Sequence, residues 1–291
     1  MENKINVGII GNGFVGSAVA QGLSLISNVR THDKNKKLSS HSFEDVVTNS
    51  KFIFVCVPTP SNYLDNGGID LTILDQVITQ INTIIINKKL DNKLIVLKST
   101  IIPGTTENYC KLFPRLKFVF NPEFLSEKTA IFDFNNPSRI VIGGSDECCE
   151  NLKFLYKRRF PHVKIITTDS KSAEFTKYAC NCFYAIKIAM FNELHQMADN
   201  ENMDWNSIMN GVISSGWVNP MHTLVPGTDG DFGFGGKCFP KDLNAFIGYY
   251  QEQNIKPIML KAAWDKNIEV RKNKNWLQIE GAFSNKGEEN E

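Results

Sequence analysis

A strand, a glycine turn and a helix open the chain, and no other segment restricts its fold as tightly. Residues 6–10 form a short apolar run that leads into Gly11-Asn-Gly13-Phe14-Val15-Gly16, and residues 15–25 continue with the apolar spacing of a helix. The three glycines have separate uses: a tight turn, close approach of a ligand to the main chain, and close packing of helix on strand. The helix N-terminus adds N–H groups without intrahelical partners and the positive end of its dipole, which suits a pyrophosphate. A lone Gly-x-Gly-x-x-Gly is weak evidence, because a bare strand-to-helix turn can carry it. Here Asp33 ends the second strand candidate (residues 28–32), 22 residues after Gly11. A carboxylate there suits a ribose diol and favours NAD over NADP.

The same alternation continues. Residues 52–57, 93–98, 117–120, 139–142 and 163–167 read as strands, and 42–48, 71–88, 105–113 and 146–158 as helices. Ser42 and Asp70 stand where N-caps belong. Residues 52–57 are continuously apolar, as in a strand buried on both faces. Repeated strand–helix units predict an α/β fold with a doubly wound parallel sheet of Rossmann type. The pattern changes near Thr168. Residues 171–200 read as one long helix, followed by a helix at 204–213, a glycine-rich loop at 214–236, a helix from Pro240 to about 253, and a last helix at 257–276. The predicted organisation is an NAD-binding domain (1–168), a helical domain (169–280) and a polar tail (281–291), the last seven residues of which are expected to fray.

Composition excludes several partner classes. Lys and Arg number 32 against 31 Asp and Glu, a net charge of +1, so nothing points to nucleic acid or an anionic membrane. No apolar run approaches the roughly 20 residues that cross a bilayer. A strand that begins by Ile5 leaves no room for a signal peptide. Seven cysteines, at 56, 110, 148, 149, 180, 182 and 238, show no paired metal spacing. No metal is expected, and a reduced, cytoplasmic chain is.

The segment Gly233-Phe-Gly235-Gly-Lys-Cys238-Phe-Pro-Lys241-Asp242 holds the densest chemistry. A thiol between a glycine loop and a helix N-terminus is favoured as thiolate, and Lys237 and Lys241 add to that. A cysteine nucleophile suits covalent catalysis through a thioester. Asp242, one helical turn on, would orient a water or a lysine. On spacing alone, Cys238 reads equally well as a small buried residue in a tight loop. In the long helix, Lys177, Asn181, Ile188 and Asn192 fall within about 40° of one another. Such a stripe either lines a polar pocket or faces solvent. Glu123 and Glu127 are four apart and would share a face if their loop is helical, able to hold a water or a base. Ordinary surface acids fit the same spacing. Thr59 and Lys98-Ser-Thr100 end strands on the side where α/β sheets bind ligands.

In this order and spacing, from about Ile5 to Arg271, these motifs closely resemble the UDP-glucose/GDP-mannose dehydrogenase family. The carriers are Gly11–Gly16, Val57-Pro-Thr-Pro60, Lys98-Ser-Thr-Ile-Ile-Pro-Gly-Thr-Thr106, Asn121-Pro-Glu-Phe-Leu-Ser-Glu127, the Glu174, Lys177, Asn181, Asn192-Glu193 helix, and Phe234–Asp242. The resemblance implies two successive NAD-dependent oxidations of a nucleotide sugar, C6 alcohol to carboxylate. It assigns Cys238 as nucleophile, Lys177 to the developing oxyanion, Asn181 and Thr100 to that oxygen or a water, and Glu127 and Asp242 to water activation. Gly11, Gly13, Phe14, Val15, Gly16, Asp33, Thr59, Thr100, Glu127 and Lys241 would contact NAD. Glu123, Phe124, Leu125, Lys177, Asn181 and Gly235 would contact substrate.

The chain departs from its relatives in two places. Only about 15 residues follow Trp276, too few for a further βαβ unit, so a short form without the family's C-terminal nucleotide-binding domain is expected. The loop at 216–221 reads Gly-Trp-Val-Asn-Pro-Met, without the arginine common there, and Trp217, Asn219 and His222 are its candidate substitutes. Two other readings remain: a two-electron hydroxyacid or alcohol dehydrogenase, which would not need Cys238, and a non-catalytic NAD-binding subunit. A homodimer is expected, because the helix at 257–276 carries Ile258, Ala262, Ile268 and two tryptophans with little to cover them.

Overall fold

Strand residues alternate between two apolar cores, and this alternation builds the sheet. In the computed structural model, which describes residues 4–62 and 68–284, the chain runs β1 (Ile5–Ile10), α1 (Phe14–Ser24), β2 (Ser27–His32), α2 (Phe43–Asn49), β3 (Phe52–Val55), α3 (Thr72–Asn87), β4 (Leu94–Leu97), α4 (Thr105–Leu112), β5 (Lys117–Phe120), α5 (Ala130–Asn135), β6 (Ile140–Gly144), α6 (Asp146–Arg159), β7 (Ile165–Thr168), α7 (Ser170–Asn200), α8 (Trp205–Ser214), α9 (Cys238–Glu252) and α10 (Ile258–Val270). Phe52 and Phe54 of β3 pack with Val19, Leu23, Leu152 and Tyr156 from α1 and α6. Ile53 and Val55 pack on the opposite face with Val46, Leu74, Ile78 and Tyr109 from α2, α3 and α4. All four β3 residues are buried, which is why the sequence shows a continuous apolar run rather than alternation.

The seven strands lie in the order β2-β1-β3-β4-β5-β6-β7. The direction of strand addition reverses between β1 and β3, and ligands of open α/β sheets bind at the carboxyl ends of such a pair. The expectation of a wholly parallel sheet needs one correction. β6 pairs antiparallel with β5 (Val119↔Gly144, Phe120↔Gly143), and β7 runs parallel to β6. A parallel neighbour needs a crossover. The β5–β6 connection instead carries the short α5, which packs on α1: a Cβ at Gly22 would lie 2.2 Å from the Phe134 ring.

Two compact units emerge: 1–59 with 71–177, and 60–70 with 178–291. The start of α7, up to Lys177, thus goes with the first compact unit, and residues 60–70 go with the second. Within that unit Ser61 N–H donates to the Ala282 carbonyl and Ser284 N–H to that of Ser61, both near 3 Å. Residues 282–283 are therefore held, although they were assigned to the polar tail; the fraying expected of 285–291 lies outside the described residues.

Two local expectations fail for identifiable reasons. α3 starts at Thr72, which puts Leu71 and not Asp70 at the cap position. α10 ends at Val270, where Arg271 turns extended and its guanidinium binds Asp229 and the Phe232 carbonyl. Trp276 follows in a separate 3₁₀ turn and is fully buried with Ala282 and Phe283, against Trp264 and Ile268. The tryptophans and Ile268 are thus covered within this unit, whereas Ile258, 71 % exposed, and Ala262 are not. Ser42 does cap α2, accepting from Asp45 N–H at 3.1 Å.

Candidate active site

In the first unit, the turn between β1 and α1 is shaped by what its glycines exclude. Gly11 has φ +86°, and a Cβ there would meet the Cys56 carbonyl at 2.7 Å; a Cβ on Gly16 would meet the Gly11 carbonyl at 2.0 Å. Around Gly13 nothing lies within 4 Å of such a Cβ. Gly13 caps α1 without a side-chain hydrogen bond, and the first turn holds no acid. The result is an open cradle under a bare helix N-terminus, with Phe14 and Val15 packed into the core behind it. That arrangement suits a pyrophosphate. Asp33 closes the turn: its Oδ2 accepts from Asn12 N–H at 2.7 Å and its Oδ1 from Asn35 N–H at 2.8 Å. The carboxylate is thereby fixed at the end of β2, half-buried, with lone pairs left for a ribose. The residues present fit NAD.

Beyond β3 and β4, two loops are stapled together. Thr59 Oγ1 donates to the Thr100 carbonyl at 2.6 Å, and Ser99 Oγ to the Val57 carbonyl at 2.7 Å. The next turn is held from α7. Glu174, fully buried, accepts from Gly104 N–H at 2.5 Å and Thr106 N–H at 2.9 Å, supplying the cap that α4 lacks. Burial pushes its carboxyl up to about 7, against the pull of those N–H groups.

Lys177, also buried, donates to the carbonyl of Glu123 at 2.8 Å and to its Oε1 at 2.7 Å. Glu123 Oε2 accepts from Leu125 N–H at 2.8 Å. The Phe124 ring lies 5.8 Å from Lys177 Nζ and 4.1 Å from the Arg139 guanidinium. Glu123 and Glu127 do not share a helical face. Residues 121–126 are irregular, and Glu127 opens an exposed 3₁₀ turn. Pro122 and the Glu123–Leu125 hydrogen bond keep that loop out of a helix.

In the second unit, Cys238 is the first residue of α9 and is partly exposed. The loop before it is clamped by amides. Gly233 N–H donates to Asn192 Oδ1 at 2.9 Å, Phe234 N–H to Asn267 Oδ1 at 2.6 Å, and Gly236 N–H to Asn275 Oδ1 at 3.0 Å. Arg271, buried, fills the space beside Gly235, where a Cβ would lie 2.2 Å from its guanidinium. Asp242 lies one turn after Cys238 and is 1 % exposed, so how its charge is balanced matters. Asn181 Nδ2 donates to its Oδ2 and Lys241 Nζ to its Oδ1, both at 2.5 Å. Lys241 is therefore compensated by Asp242. The Lys237 ammonium donates to the Glu280 carbonyl.

Asn192 belongs neither to an open pocket nor to a solvated face; it holds the cysteine loop. His222 stacks on Tyr184 (4.6 Å between centroids) and lies 5.5 Å from the Phe239 ring, whereas Trp217 is 94 % exposed. Sequence reasoning missed the cap from Glu174, the burial of Lys98, and the clamp of Asn267 and Arg271. Their partners lie 23 to 70 residues away in sequence, so no local pattern reports them.

Residues 24–159 match the NAD binding domain of the UDP-glucose/GDP-mannose dehydrogenase family, and residues 171–269 match that family's central domain. Among curated proteins, the chain is 31% identical over 239 residues to the UDP-glucose 6-dehydrogenase AglM of Haloferax volcanii, covering 77% of this chain and 53% of that protein. It is 30% identical over 255 residues to the GDP-mannose 6-dehydrogenase of Pseudomonas aeruginosa, covering 83% and 54%. The chain thus spans about half the length of these relatives. A solved UDP-glucose dehydrogenase from Pyrobaculum islandicum superposes with a TM-score of 0.80 at 27% identity, over 92% of this chain and 68% of that one. No helix among the described residues is long and apolar enough to cross a membrane.

Proposed function

The chain belongs to the UDP-glucose/GDP-mannose dehydrogenase family, and from that premise we propose that it oxidises the C6 alcohol of a nucleotide sugar to the carboxylate, in two NAD-dependent steps through a covalent intermediate on Cys238. The observation that carries this reading is the setting of Cys238. It opens α9 behind a clamped glycine loop, with Asp242 held one turn away by Asn181 and Lys241. A two-electron dehydrogenase has no use for a thiol so placed.

Gly11, Gly13, Phe14, Val15, Gly16, Asp33, Thr59 and Thr100 would hold NAD, with Glu127 and Lys241 as further contacts, and NAD supplies hydride acceptance for both oxidations. Glu123, Phe124, Leu125 and Gly235 would contact the sugar. At the aldehyde stage, Cys238 Sγ bonds to C6 and the carbonyl oxygen takes up negative charge. Lys177 and Asn181 are the donors assigned to that oxygen, and Thr100 is assigned to it or to a water. Donors fixed before the charge develops need no reorganisation when it does. Loss of the remaining C6 hydride, which NAD would accept, reforms the carbonyl and leaves the carbon on Cys238 as a thioester. Water oxygen bonds to that carbon, the C–S bond breaks, and sulfur leaves as thiolate. Glu127, exposed, takes the water proton. Asp242, with both oxygens already engaged, serves by orienting Asn181.

Two copies are proposed to pair through α7. Phe183, Met190, Leu194 and Met197 lie along it at helical spacing and are each more than 40 % exposed. The catalytic reading is tested by supplying NAD with a panel of UDP- and GDP-hexoses. Sugar acid formed by the wild type and not by Cys238→Ala supports it; sugar acid formed equally by both overturns it.

A further inference from the structure

Lys98 carries a positive charge that stability alone would not select. It follows β4, is 4 % exposed, and its ammonium donates to the carbonyl of Asn121 at 3.1 Å and to Asn121 Oδ1 at 2.9 Å. Both acceptors are neutral. Asn121 Oδ1 also accepts from Tyr156 Oη at 2.5 Å, and its Nδ2 donates to the Val141 carbonyl at 2.7 Å. Asn121 would therefore be well anchored without Lys98. An ammonium buried among neutral acceptors costs several kcal/mol, and apolar replacements of such groups are often stabilising.

The groups facing Lys98 explain what the charge can do. Cys56 lies beyond β3, Glu123 beyond β5 and Lys177 on α7; Tyr156 of α6 reaches Lys98 through Asn121. Burial pushes the Cys56 thiol up to about 12 and the Tyr156 hydroxyl far above its usual range, so both are neutral. Glu123 is then a carboxylate that faces both lysines. The carbonyls that bind the two ammoniums, Asn121 and Glu123, are two residues apart, at most about 7 Å of chain. Two cations and one anion leave this buried cluster with an excess positive charge.

We infer that Lys98 is a positioning residue that keeps the Lys177–Glu123 pair net positive, so that Lys177 still attracts an oxygen taking on negative charge. The inference rests on the proposed role of Lys177. An isolated Lys177–Glu123 pair would present nearly no net charge to that oxygen. The third charge restores the attraction without touching substrate. Burial lowers Lys98 to about 8, with Glu123 pulling it up and Lys177 pushing it down. The added charge is therefore present at neutral pH and lost in mildly alkaline solution.

The test is the titration of Lys98 in the full chain, followed by NMR of lysines labelled with ¹³C at Cε and assigned by its absence in Lys98→Met. No substrate is needed, so the result stands even if no nucleotide sugar is oxidised. The Lys98 midpoint is expected near 8. It should rise by roughly half a unit or more in Lys177→Met and fall by a similar amount in Glu123→Gln. A midpoint indifferent to both changes would overturn the inference and leave Lys98 as an anchor for Asn121. Turnover supplies the second arm. Lys98→Met, which removes a costly charge and should unfold no earlier than wild type, is expected to lower kcat at neutral pH about tenfold. It should leave KM for the sugar unchanged and lose the decline of kcat through pH 8. Retention of that decline in Lys98→Met would equally overturn it.

Discussion

The buried carboxylate of Glu174, in the second turn of α7, accepts the backbone N–H groups of Gly104 and Thr106 at the start of α4. A helix that lacks a cap of its own is thus finished by a residue 68 to 70 positions later in the chain.

The contact predicts a pH dependence. Burial raises the Glu174 carboxyl from 4.5 to about 7 in the folded state. The folded chain then holds a proton that the unfolded chain has released, so stability falls as pH rises through that interval. The interval corresponds to at most about 3 kcal/mol. Glu174→Gln should flatten the urea midpoint between pH 5 and 8 relative to wild type. Parallel curves for the two proteins would refute it.

Asp242 and Lys241 form a buried pair, and removing one partner strands the other. Asp242→Asn should cost about 3–5 kcal/mol, and the double change Asp242→Asn, Lys241→Met should recover most of it. Denaturant unfolding of the two variants measures both. Additive losses would show that the ion pair is not what holds this turn of α9.

At Gly235 there is no room for a side chain, because the Arg271 guanidinium fills the space and is itself tied to Asp229 and the Phe232 carbonyl. Gly235→Ala should cost about 1–3 kcal/mol. It should also change the rate at which iodoacetamide alkylates Cys238, since the same loop leads into that residue. An unchanged alkylation rate would mean the clamp does not govern the cysteine.

The pairing surface is tested by charge. Met190→Glu places a carboxylate in the middle of the exposed α7 stripe, and a stripe buried between two copies would not accept it. Sedimentation should give a dimer for wild type and a monomer for the variant at micromolar concentration. A monomeric wild type would end the proposal.

Much of this was legible in the sequence because the physics involved is local. The apolar runs of β1, β3, β4 and β5, the glycine turn and the Ser42 cap each declare themselves within a few residues. The antiparallel entry of β6 does not, since a strand buried on both faces carries no mark of direction. The early end of α10 was hidden for a related reason. Its apolar spacing continues into Trp276, but the guanidinium of Arg271 takes partners some 40 residues upstream and turns the chain. The motif residues Lys177, Asn181, Cys238 and Asp242 could be singled out by resemblance. Their hydrogen-bond partners, and the burial of Lys98, depend on tertiary packing that spacing does not encode. The cover over the tryptophans was misjudged because Ala282 and Phe283 sit in a stretch whose composition reads as a tail.

The central claim is that Cys238 carries the sugar from aldehyde to acid, and the most direct test counts NADH formed per nucleotide sugar consumed at completion. The account predicts two NADH per sugar for the wild-type chain, and no acid product from Cys238→Ala. One NADH per substrate, unaffected by that substitution, would contradict it and place the chain among two-electron dehydrogenases.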